Sequence, residues 1–482
     1  MSSMSGYKPT IGVEIHTQLA TNTKMFCSCD NDSIEAAPNT HICPVCLAYP
    51  GTLPVPNKRA VELAIRLGLG LNADITRQTK FDRKNYFYPD SPKGYQITQF
   101  DQPIVGEGSV EIFVDGAFQT VRIERAHMEE DAGKLTHPAG ADYSLVDLNR
   151  AGTPLVEIVS YPDMHSPQEV KRYLQEVYAI ATSLGVTHGN MQHGNFKFDL
   201  NVSISNDSDV LGTRTELKNL NSFRNAERAL AYEIKRQISE VEKGNKITQE
   251  TRGWDDAKGI TFSQRSKEEA HDYRYFPEPD IPPLVITDAM IATEQLVVDA
   301  TALPIDVRRG LVELGLTPDE QDIFVGQAQT SAIFQAARAD LGEDQAKAIV
   351  NWLIGPYQEW LESADENGES KLTGAHLAEL ITLVADGTIS SKMAKDIFTD
   401  VIAGESPSSI IKRSGVAQIS DVDMIREIIK TAMAQNPQGV ADYKAGNAKA
   451  LGYFVGQVMK ETQGQANPQV VNQELKALLE SA

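Results

Sequence analysis

Alternation of apolar and polar residues predicts a β-strand at residues 10–19. Its apolar side carries three branched residues, Ile11, Val13 and Ile15. Because successive side chains of a strand point to opposite faces, Glu14 and His16 project from the other face about 7 Å apart. A carboxylate and an imidazole held side by side can form part of a metal site or an acid/base pair, although a polar strand face is also typical of a strand with one side in water.

The same alternation recurs along the first 290 residues and is interrupted by two helical periods. Further strands are predicted at residues 110–114, 120–123, 196–204 and 213–217. Helices are expected at 166–184, after a Ser-Pro start, and at 222–243, before Gly244. This mixture predicts an α+β fold built on a largely antiparallel sheet.

After residue 290 the apolar period changes to about 3.6, which is typical of helices. The predicted helices are 304–314, 317–328, 331–341, 346–355, 374–386, 390–403, 421–435, 437–445, 448–462 and 467–481. Residues 404–420, rich in serine with two glycines and a proline, predict a hinge. We therefore expect three domains, at residues 1–290, 291–403 and 404–482, of which the last two are all-helical.

The composition agrees with a soluble globular protein of several domains. The chain has 482 residues, 41% of them hydrophobic and 23% charged. No apolar run is long enough to span a bilayer, and the N-terminal residues have neither a signal-peptide nor a transit-peptide pattern. A bacterial cytoplasm is the expected location.

The net charge of −21 argues against a nucleic-acid partner only when its distribution is ignored. The acidic excess is concentrated in residues 291–400, whereas residues 401–482 are close to neutral and include the basic pair Lys412 and Arg413. An RNA partner therefore stays possible and is expected to contact the ends of the chain.

All four cysteines lie in one short segment, as Cys27-x-Cys29 and Cys43-x-x-Cys46. In a cytosolic chain, two close pairs predict a tetrahedral zinc knuckle rather than disulfides. The alternative is a loop with four reduced thiols. A four-cysteine zinc site has no open coordination position, so its expected role is structural.

Polar faces recur on the other predicted strands. Lys197, Asp199 and Asn201 share one face of the strand at 196–204, and Glu216 and Lys218 share one face of the next strand. The segment 125–131, after the strand at 120–123, adds His127 and three acids that include Glu129. Carboxylates together with lysines suit a floor that binds Mg²⁺ and phosphate. Because the chain has no P-loop motif, any nucleotide site is expected to be of another type.

Basic and aromatic residues are interleaved at 81–90 and again at 272–277. Such a pattern can stack on bases and neutralise phosphates, or it can form a surface loop whose aromatic rings pack on the core.

Several long motifs resemble one family, the B subunits of aspartyl/glutamyl-tRNA(Asn/Gln) amidotransferase, GatCAB (the GatB/GatE family). The matching segments extend over nearly the whole chain, at residues 12–16, 81–90, 127–134, 149–154, 216–223, 249–252, 272–280 and 456–459.

This resemblance implies an activity and a site. The family uses ATP and Mg²⁺ to phosphorylate the side-chain carboxylate of Glu or Asp misattached to tRNA(Gln) or tRNA(Asn), and ammonia then displaces the phosphate. Its catalytic cradle is similar to the glutamine synthetase fold. The catalytic and Mg²⁺ positions of the family correspond here to Glu14, His16, Glu129, Asp199 and Glu216, with Lys218 and Arg150 as expected phosphate contacts.

The resemblance also implies partners. A glutaminase A subunit would supply the ammonia, a small C subunit would brace the pair, and the tail at 404–482 would bind the tRNA. Two features depart from the family pattern, namely Gln192 and His193 in place of two acids, and Phe198 in place of a smaller residue. They affect only details near Asp199.

Two other functions are compatible with parts of this sequence. One is a non-catalytic tRNA-binding scaffold whose acidic cluster is vestigial. The other is a free-standing ATP-dependent amide ligase for a small carboxylate, which would not require the helical tail. The choice between Glu-tRNA(Gln) and Asp-tRNA(Asn) depends on the host's synthetases and is left open by the sequence.

Overall fold

The computed structural model describes residues 6–207, 210–266, 272–363, 370–414, 422–444, 449–462, 466 and 468–481. The chain divides into two compact units, Met1–Val307 and Arg308–Ala482. The first is built around a large sheet, and the described part of the second is helical. Among the described residues, no helix is long and apolar enough to cross a membrane.

The first unit contains fifteen strands in its described residues. They are β1 (Lys8–Gln18), β2 (Gln78–Thr79), β3 (Asp82–Asn85), β4 (Tyr95–Thr98), β5 (Gly108–Val114), β6 (Ala117–Glu130), β7 (Lys134–Thr136), β8 (Leu145–Asp147), β9 (Pro154–Ser160), β10 (Phe196–Ser205), β11 (Thr215–Lys218), β12 (Glu250–Asp255), β13 (Ile260–Ser266), β14 (Phe276–Pro277) and β15 (Leu284–Val285).

Eleven of these strands form one sheet, in the order β13-β12-β11-β10-β1-β9-β6-β4-β3-β14, with β5 paired to β6. All pairs are antiparallel except β11 with β12. The prediction of an α+β fold on a largely antiparallel sheet is therefore confirmed. Strand β1 lies at the centre, between β10 and β9.

Alternation determines which face of the central strands is buried. Ile11, Val13 and Ile15 of β1 are at most 1% exposed. The apolar side of β10 is buried in the same core, through Phe196, Phe198, Leu200, Val202 and Ile204. The opposite sides of β1 and β10, which carry Glu14, His16 and Asp199, are therefore free to form a polar surface.

Four helices belong to the first unit: α1 (Lys58–Gly70), α2 (Pro167–Ser183), α3 (Phe223–Glu242) and α4 (Asp288–Asp299). The two helices expected from capping signals are confirmed. Ser166 caps α2 by accepting from the Glu169 amide at 3.2 Å, and Ser222 caps α3 by accepting from the Asn225 amide at 3.1 Å. Helix α3 packs on β10, and α2 packs on α3.

The remaining helices are α5 (Pro304–Glu313), α6 (Pro318–Gly326), α7 (Ala328–Leu341), α8 (Ala346–Trp352), α9 (Gln358–Ser363), α10 (Gly374–Ala385), α11 (Ser391–Ile402), α12 (Pro407–Ser414), α13 (Val422–Gln435), α14 (Pro437–Lys444), α15 (Lys449–Glu461) and α16 (Pro468–Ser481). A π-helix, Leu353–Tyr357, connects α8 to α9. Apolar residues of α13, α15 and α16, including Ile429, Phe454 and Leu475, form one buried cluster.

Two local predictions are wrong. The hinge predicted at 404–420 contains α12 at Pro407–Ser414, because the apolar side of this helix buries Ile410 to 1% exposure. Residues 415–420 lie outside the described residues, as does the predicted helix start at Asn467. The segment 125–131 is predicted to follow a strand, whereas β6 continues through Glu130, because antiparallel pairing with β9 extends that far.

Candidate active site and metal centres

The polar face of the sheet is assembled from five neighbouring strands. Antiparallel pairing places Glu14 opposite Asp199, and it places His16 between Lys197 on β10 and Glu157 on β9. His127 on β6 is also opposite Glu157, and Glu216 on β11 is opposite Asn201. Side chains far apart along the chain therefore lie next to one another on a rigid surface.

Three of these side chains converge as a possible metal site. The His16 Nε2 atom lies 3.3 Å from a Glu157 oxygen and 3.6 Å from a Glu129 oxygen. Ligand atoms of the three residues all lie within 4.8 Å of one another. Carboxylate oxygens with one imidazole are a hard donor set that fits Mg²⁺, which also keeps bound waters and shares phosphate oxygens with its substrate.

The sequence pattern does not point to Glu157. Its only signal is a single acid within an otherwise apolar strand, Pro154–Ser160, because the neighbours on both sides are apolar. The cross-strand register, which the sequence pattern does not reveal, brings Glu157 to His16 and His127.

The electrostatics of this group are those of buried carboxylates short of positive charge. Burial, together with the Glu157 carboxylate, raises the pKa of Glu129 to about 7. Burial alone would lower the pKa of His16, but its hydrogen bond to Glu157 and the charge of Glu129 outweigh this effect and raise that pKa to about 9. A divalent cation at this position would favour the ionised form of Glu129.

His127 lies behind the group. Its Nε2 atom is 3.4 Å from Glu157 and 3.9 Å from Glu129, and burial lowers the pKa of its imidazole to about 4. Its Nδ1 atom has no hydrogen-bond partner among the described residues. Because this neutral ring is buried beside both carboxylates, it can orient them without adding a charge.

The other predicted site residues form a neighbouring group around a lysine. The Lys218 Nζ atom lies 2.6 Å from an Asp199 oxygen and 3.3 Å from a Glu216 oxygen. Glu14 accepts a hydrogen bond from Asn201 at 2.9 Å. Burial raises the pKa of Glu14, and the charges of Glu157, Asp199 and Glu216 add to this effect. The five predicted metal residues are thus divided into His16 with Glu129, and Glu14 with Asp199 and Glu216.

A cavity of about 550 Å³ covers this floor. His16, Glu129 and Asp199 line it, and four lysines contribute to its wall: Lys84, Lys93, Lys197 and Lys218. A volume of this size is typical of a pocket for a nucleotide-sized ligand. Lysines opposite carboxylates are suited to hold phosphates and their metal ion together.

Arg150, the second expected phosphate contact, is engaged elsewhere. Its guanidinium donates to the backbone carbonyls of Ala132 at 2.9 Å and Gly133 at 2.7 Å, and lies 3.4 Å from Asp131. It is not among the residues that line the cavity. Its position indicates that it braces the turn after β6, and its contact with phosphate stays a prediction.

The two aromatic and basic segments come together at one edge of the sheet. Strand β14 pairs with β3 so that Phe276 lies opposite Arg83. Lys84 lies 4.9 Å from the centre of the Tyr273 ring, and both residues line the cavity. Phe81 is buried in the core, whereas Phe87 is 88% exposed. The two alternatives predicted for this pattern are therefore each met by different residues of the same segment.

The two departures from the family pattern lie away from the acidic groups. Phe198 is buried on the apolar side of β10, where its ring stacks on that of Phe223 with centroids 6.0 Å apart. Gln192 and His193 are exposed in the turn before β10.

The four cysteines form a separate cluster in the loop between β1 and α1. Their Sγ atoms all lie within 4.8 Å of one another, and none is in a disulfide. The Sγ atoms of Cys43 and Cys46 are 3.9 Å apart. A tetrahedral zinc ion with Zn–S bonds of about 2.3 Å requires sulfur atoms about 3.8 Å apart. The cluster can therefore bind a metal, and its dimensions fit zinc.

Comparison with known families identifies the class of protein. Residues 9–292 match the family model described as the GatB/GatE catalytic domain, and residues 333–479 match the model described as the GatB domain. The first match includes the sheet, the acidic groups and the cysteine cluster.

Full-length relatives are similar throughout. The chain is 48% identical over 474 residues to the B subunit of the aspartyl/glutamyl-tRNA(Asn/Gln) amidotransferase of Thermoanaerobacter pseudethanolicus, and the match covers 98% of both chains. It is 46% identical to the protein of the same name from Brevibacillus brevis, over 99% of this chain and 100% of the relative. The corresponding Thermotoga maritima protein is also 46% identical, over 98% of this chain and 99% of the relative. The chain belongs to the GatB/GatE family, as its motifs predicted.

Proposed function

We propose that this chain is the B subunit of a glutamine-hydrolysing tRNA-dependent amidotransferase. It would phosphorylate, with ATP, the side-chain carboxylate of Glu on tRNA(Gln) or Asp on tRNA(Asn), and then convert it to the amide with ammonia. The observation that carries this proposal is the convergence of His16, Glu129 and Glu157 beneath a cavity walled by lysines. The names of the relatives supply the substrate class.

Two groups of residues would hold Mg²⁺. His16, Glu129 and Glu157 are the better defined, because their ligand atoms already lie within 4.8 Å of one another. Glu14, Asp199 and Glu216 would bind a second ion shared with the phosphates once Lys218 moves from the two carboxylates to a phosphate oxygen. When bound, Mg²⁺ offsets the negative charge of the nucleotide and polarises the transferred phosphoryl group.

The reaction follows from what the cavity can hold. A substrate carboxylate oxygen attacks the γ-phosphorus of ATP, the bond to the β-phosphate oxygen breaks, and ADP leaves with its electron pair. Lys84, Lys197 and Lys218 are placed to hold the phosphates in line. Ammonia then attacks the carbonyl carbon of the acyl phosphate, inorganic phosphate leaves, and a proton is lost from nitrogen to give the amide.

The architecture supports the remaining parts of this proposal. An antiparallel sheet whose polar face carries the acidic groups is what a cradle similar to that of glutamine synthetase requires. Because the four cysteines are all in the metal cluster, we infer that the ammonia comes from a partner glutaminase A subunit, with a small C subunit completing the complex. The helical residues 404–482 would bind the tRNA, residues 291–403 would form a separate helical domain, and the complex would work in the bacterial cytoplasm.

Glu14→Ala is expected to slow ATP-dependent formation of the phosphorylated intermediate by about 10²-fold, because it removes one carboxylate from the group that faces the phosphates. The measurement is ADP release with misacylated tRNA in the absence of an ammonia donor. Glu227→Ala is the control, since Glu227 makes a surface pair with Lys171 on α2. An unchanged rate for Glu14→Ala would contradict the site assignment and favour a non-catalytic scaffold.

Lys218→Met is expected to raise the KM for ATP by about 10-fold or more, since a charged hydrogen bond to a phosphate contributes about 1.5–3 kcal/mol. The KM for tRNA should change less, because the substitution leaves the rest of the cavity in place. Lys235→Met is a suitable control, as Lys235 is an exposed lysine on α3. If both variants bind ATP like the wild type, Lys218 only neutralises Asp199 and Glu216.

A further inference from the structure

A buried lysine lies against the cysteine cluster. Lys24 is 0% exposed, and no other lysine in the described part of the chain is buried. Its Nζ atom donates to the carbonyl oxygens of His41 at 2.8 Å and Leu148 at 3.3 Å, and it lies 3.9 Å from the Cys46 Sγ atom.

The surroundings of Lys24 contain no carboxylate counter-ion. Within the described ranges, its Nζ atom forms no ion pair with Asp or Glu. An acid side chain on the same wall, Glu130, is paired with Lys93. A buried ammonium is costly unless a negative charge compensates it. The adjacent candidates for that charge are the cysteine sulfurs.

A zinc ion bound by four thiolates carries a net charge of −2, since four negative sulfurs exceed the charge of one Zn²⁺. An ammonium at 3.9 Å from one of these sulfurs halves that excess. The lysine and the metal centre therefore compensate each other, and each explains why the other is tolerated in a buried position.

We propose that Lys24 is a positioning residue of the cysteine site, whose ammonium stabilises the bound zinc by offsetting the charge of the thiolates. This inference rests on the proposed zinc site. It adds a residue outside the four ligands that sets how firmly the metal is held.

The same lysine joins the metal loop to the cavity wall. Its second carbonyl partner, Leu148, precedes Asn149, whose side chain accepts from the His41 amide at 2.9 Å and donates to Ala37 at 2.8 Å. The Met25 amide donates to Gly152 at 2.7 Å, and both Gly152 and Cys46 line the cavity. Metal loss is therefore expected to disturb the wall that leads into β9 and Glu157.

The first test measures zinc retention by full-length Lys24→Met, in which an apolar chain of similar length replaces the lysine. Purified protein is titrated with the chelator 4-(2-pyridylazo)resorcinol under reducing conditions, and zinc transfer is followed by absorbance. We expect the variant to bind zinc about 10- to 100-fold more weakly than the wild type. Lys80→Met is the matched control, because Lys80 is also largely buried but pairs with Asp82 and Asp101. It should retain zinc like the wild type.

The second test separates charge compensation from simple structural bonding. The free energy of unfolding is measured for wild type and Lys24→Met, each with zinc and after chelation. With zinc, we expect the variant to be less stable; without zinc, we expect it to be equal or more stable, because the buried charge has then lost its counter-charge. Equal destabilisation in both states would mean that Lys24 serves only the His41 and Leu148 carbonyls, and would overturn the inference.

The outcomes also separate this inference from the metal site itself. Wild-type protein without zinc would overturn the zinc site, and the role of Lys24 with it. Zinc bound equally well by wild type and Lys24→Met would overturn the role of Lys24 alone.

Discussion

Replacing Glu129 by glutamine is expected to lower the rate of amide formation by about 10²- to 10³-fold. Glutamine has nearly the same shape, so the substitution removes a negative charge and leaves the fold in place. Glu129 is 3% exposed and shares the metal position with His16 and Glu157, so no nearby carboxylate can substitute for it without moving. The loss should appear in kcat at saturating ATP and Mg²⁺.

The assay should use misacylated tRNA with an ammonium salt as the nitrogen donor, so that glutamine hydrolysis does not limit the rate. Binding of tRNA is the internal control and should stay close to that of the wild type, since Glu129 lies on the floor of the cavity. Glu227→Gln is the matched surface variant.

Glu157→Gln should have an effect of similar size, and the double variant should be little worse than either single one. Residues that bind the same ion act as a unit, so their effects do not add. Additive losses, or wild-type activity of Glu129→Gln, would contradict a shared metal position.

Replacing Cys43 by serine is expected to remove stoichiometric zinc and to destabilise the first unit by about 3–5 kcal/mol, which corresponds to a fall in Tm of about 10 °C. The large effect follows from the length of the connection that the cysteines close. Residues 19–57, between β1 and α1, are all described and contain no helix or strand. A connection of this length needs a staple to hold one conformation.

Metal content is measured by elemental analysis and stability by calorimetry, with and without a chelator. Ser28→Ala is the control, because Ser28 lies between two of the cysteines but offers no thiolate. Chelation should lower the Tm of the wild type to that of Cys43→Ser. Wild-type protein with four reduced thiols and no zinc would leave the alternative, a loop of free cysteines, as the correct interpretation.

The local elements are predictable because their signals are local. The serine caps at Ser166 and Ser222 and the alternation of β1 and β10 each depend on residues close together in sequence, and the structure confirms them. The paired cysteines are equally readable, since two short spacings bring four sulfurs into one loop. The end of β6 is hard to predict because the run from Arg125 to Glu130 is too polar to resemble a strand on its own, and only pairing with β9 makes it one.

The candidate site is predictable in part. Glu14 and His16 share a face because of strand geometry alone, and the family motifs supply Glu129, Asp199 and Glu216. The position of Arg150 against backbone carbonyls cannot be inferred from sequence, because it depends on how the turn after β6 folds back.

The sequence by itself determined the kind of element at most positions, the cysteine cluster and the family, because periodicity, capping and motif spacing are properties of nearby residues. The tertiary structure alone decided which acids meet. The register of β1 against β9 and β10 joins His16 to Glu157 and Glu14 to Asp199, although the members of each pair are far apart along the chain. That register is chosen by burial of the apolar face of the whole sheet, so the polar site on the opposite face is a consequence of packing that no single segment contains.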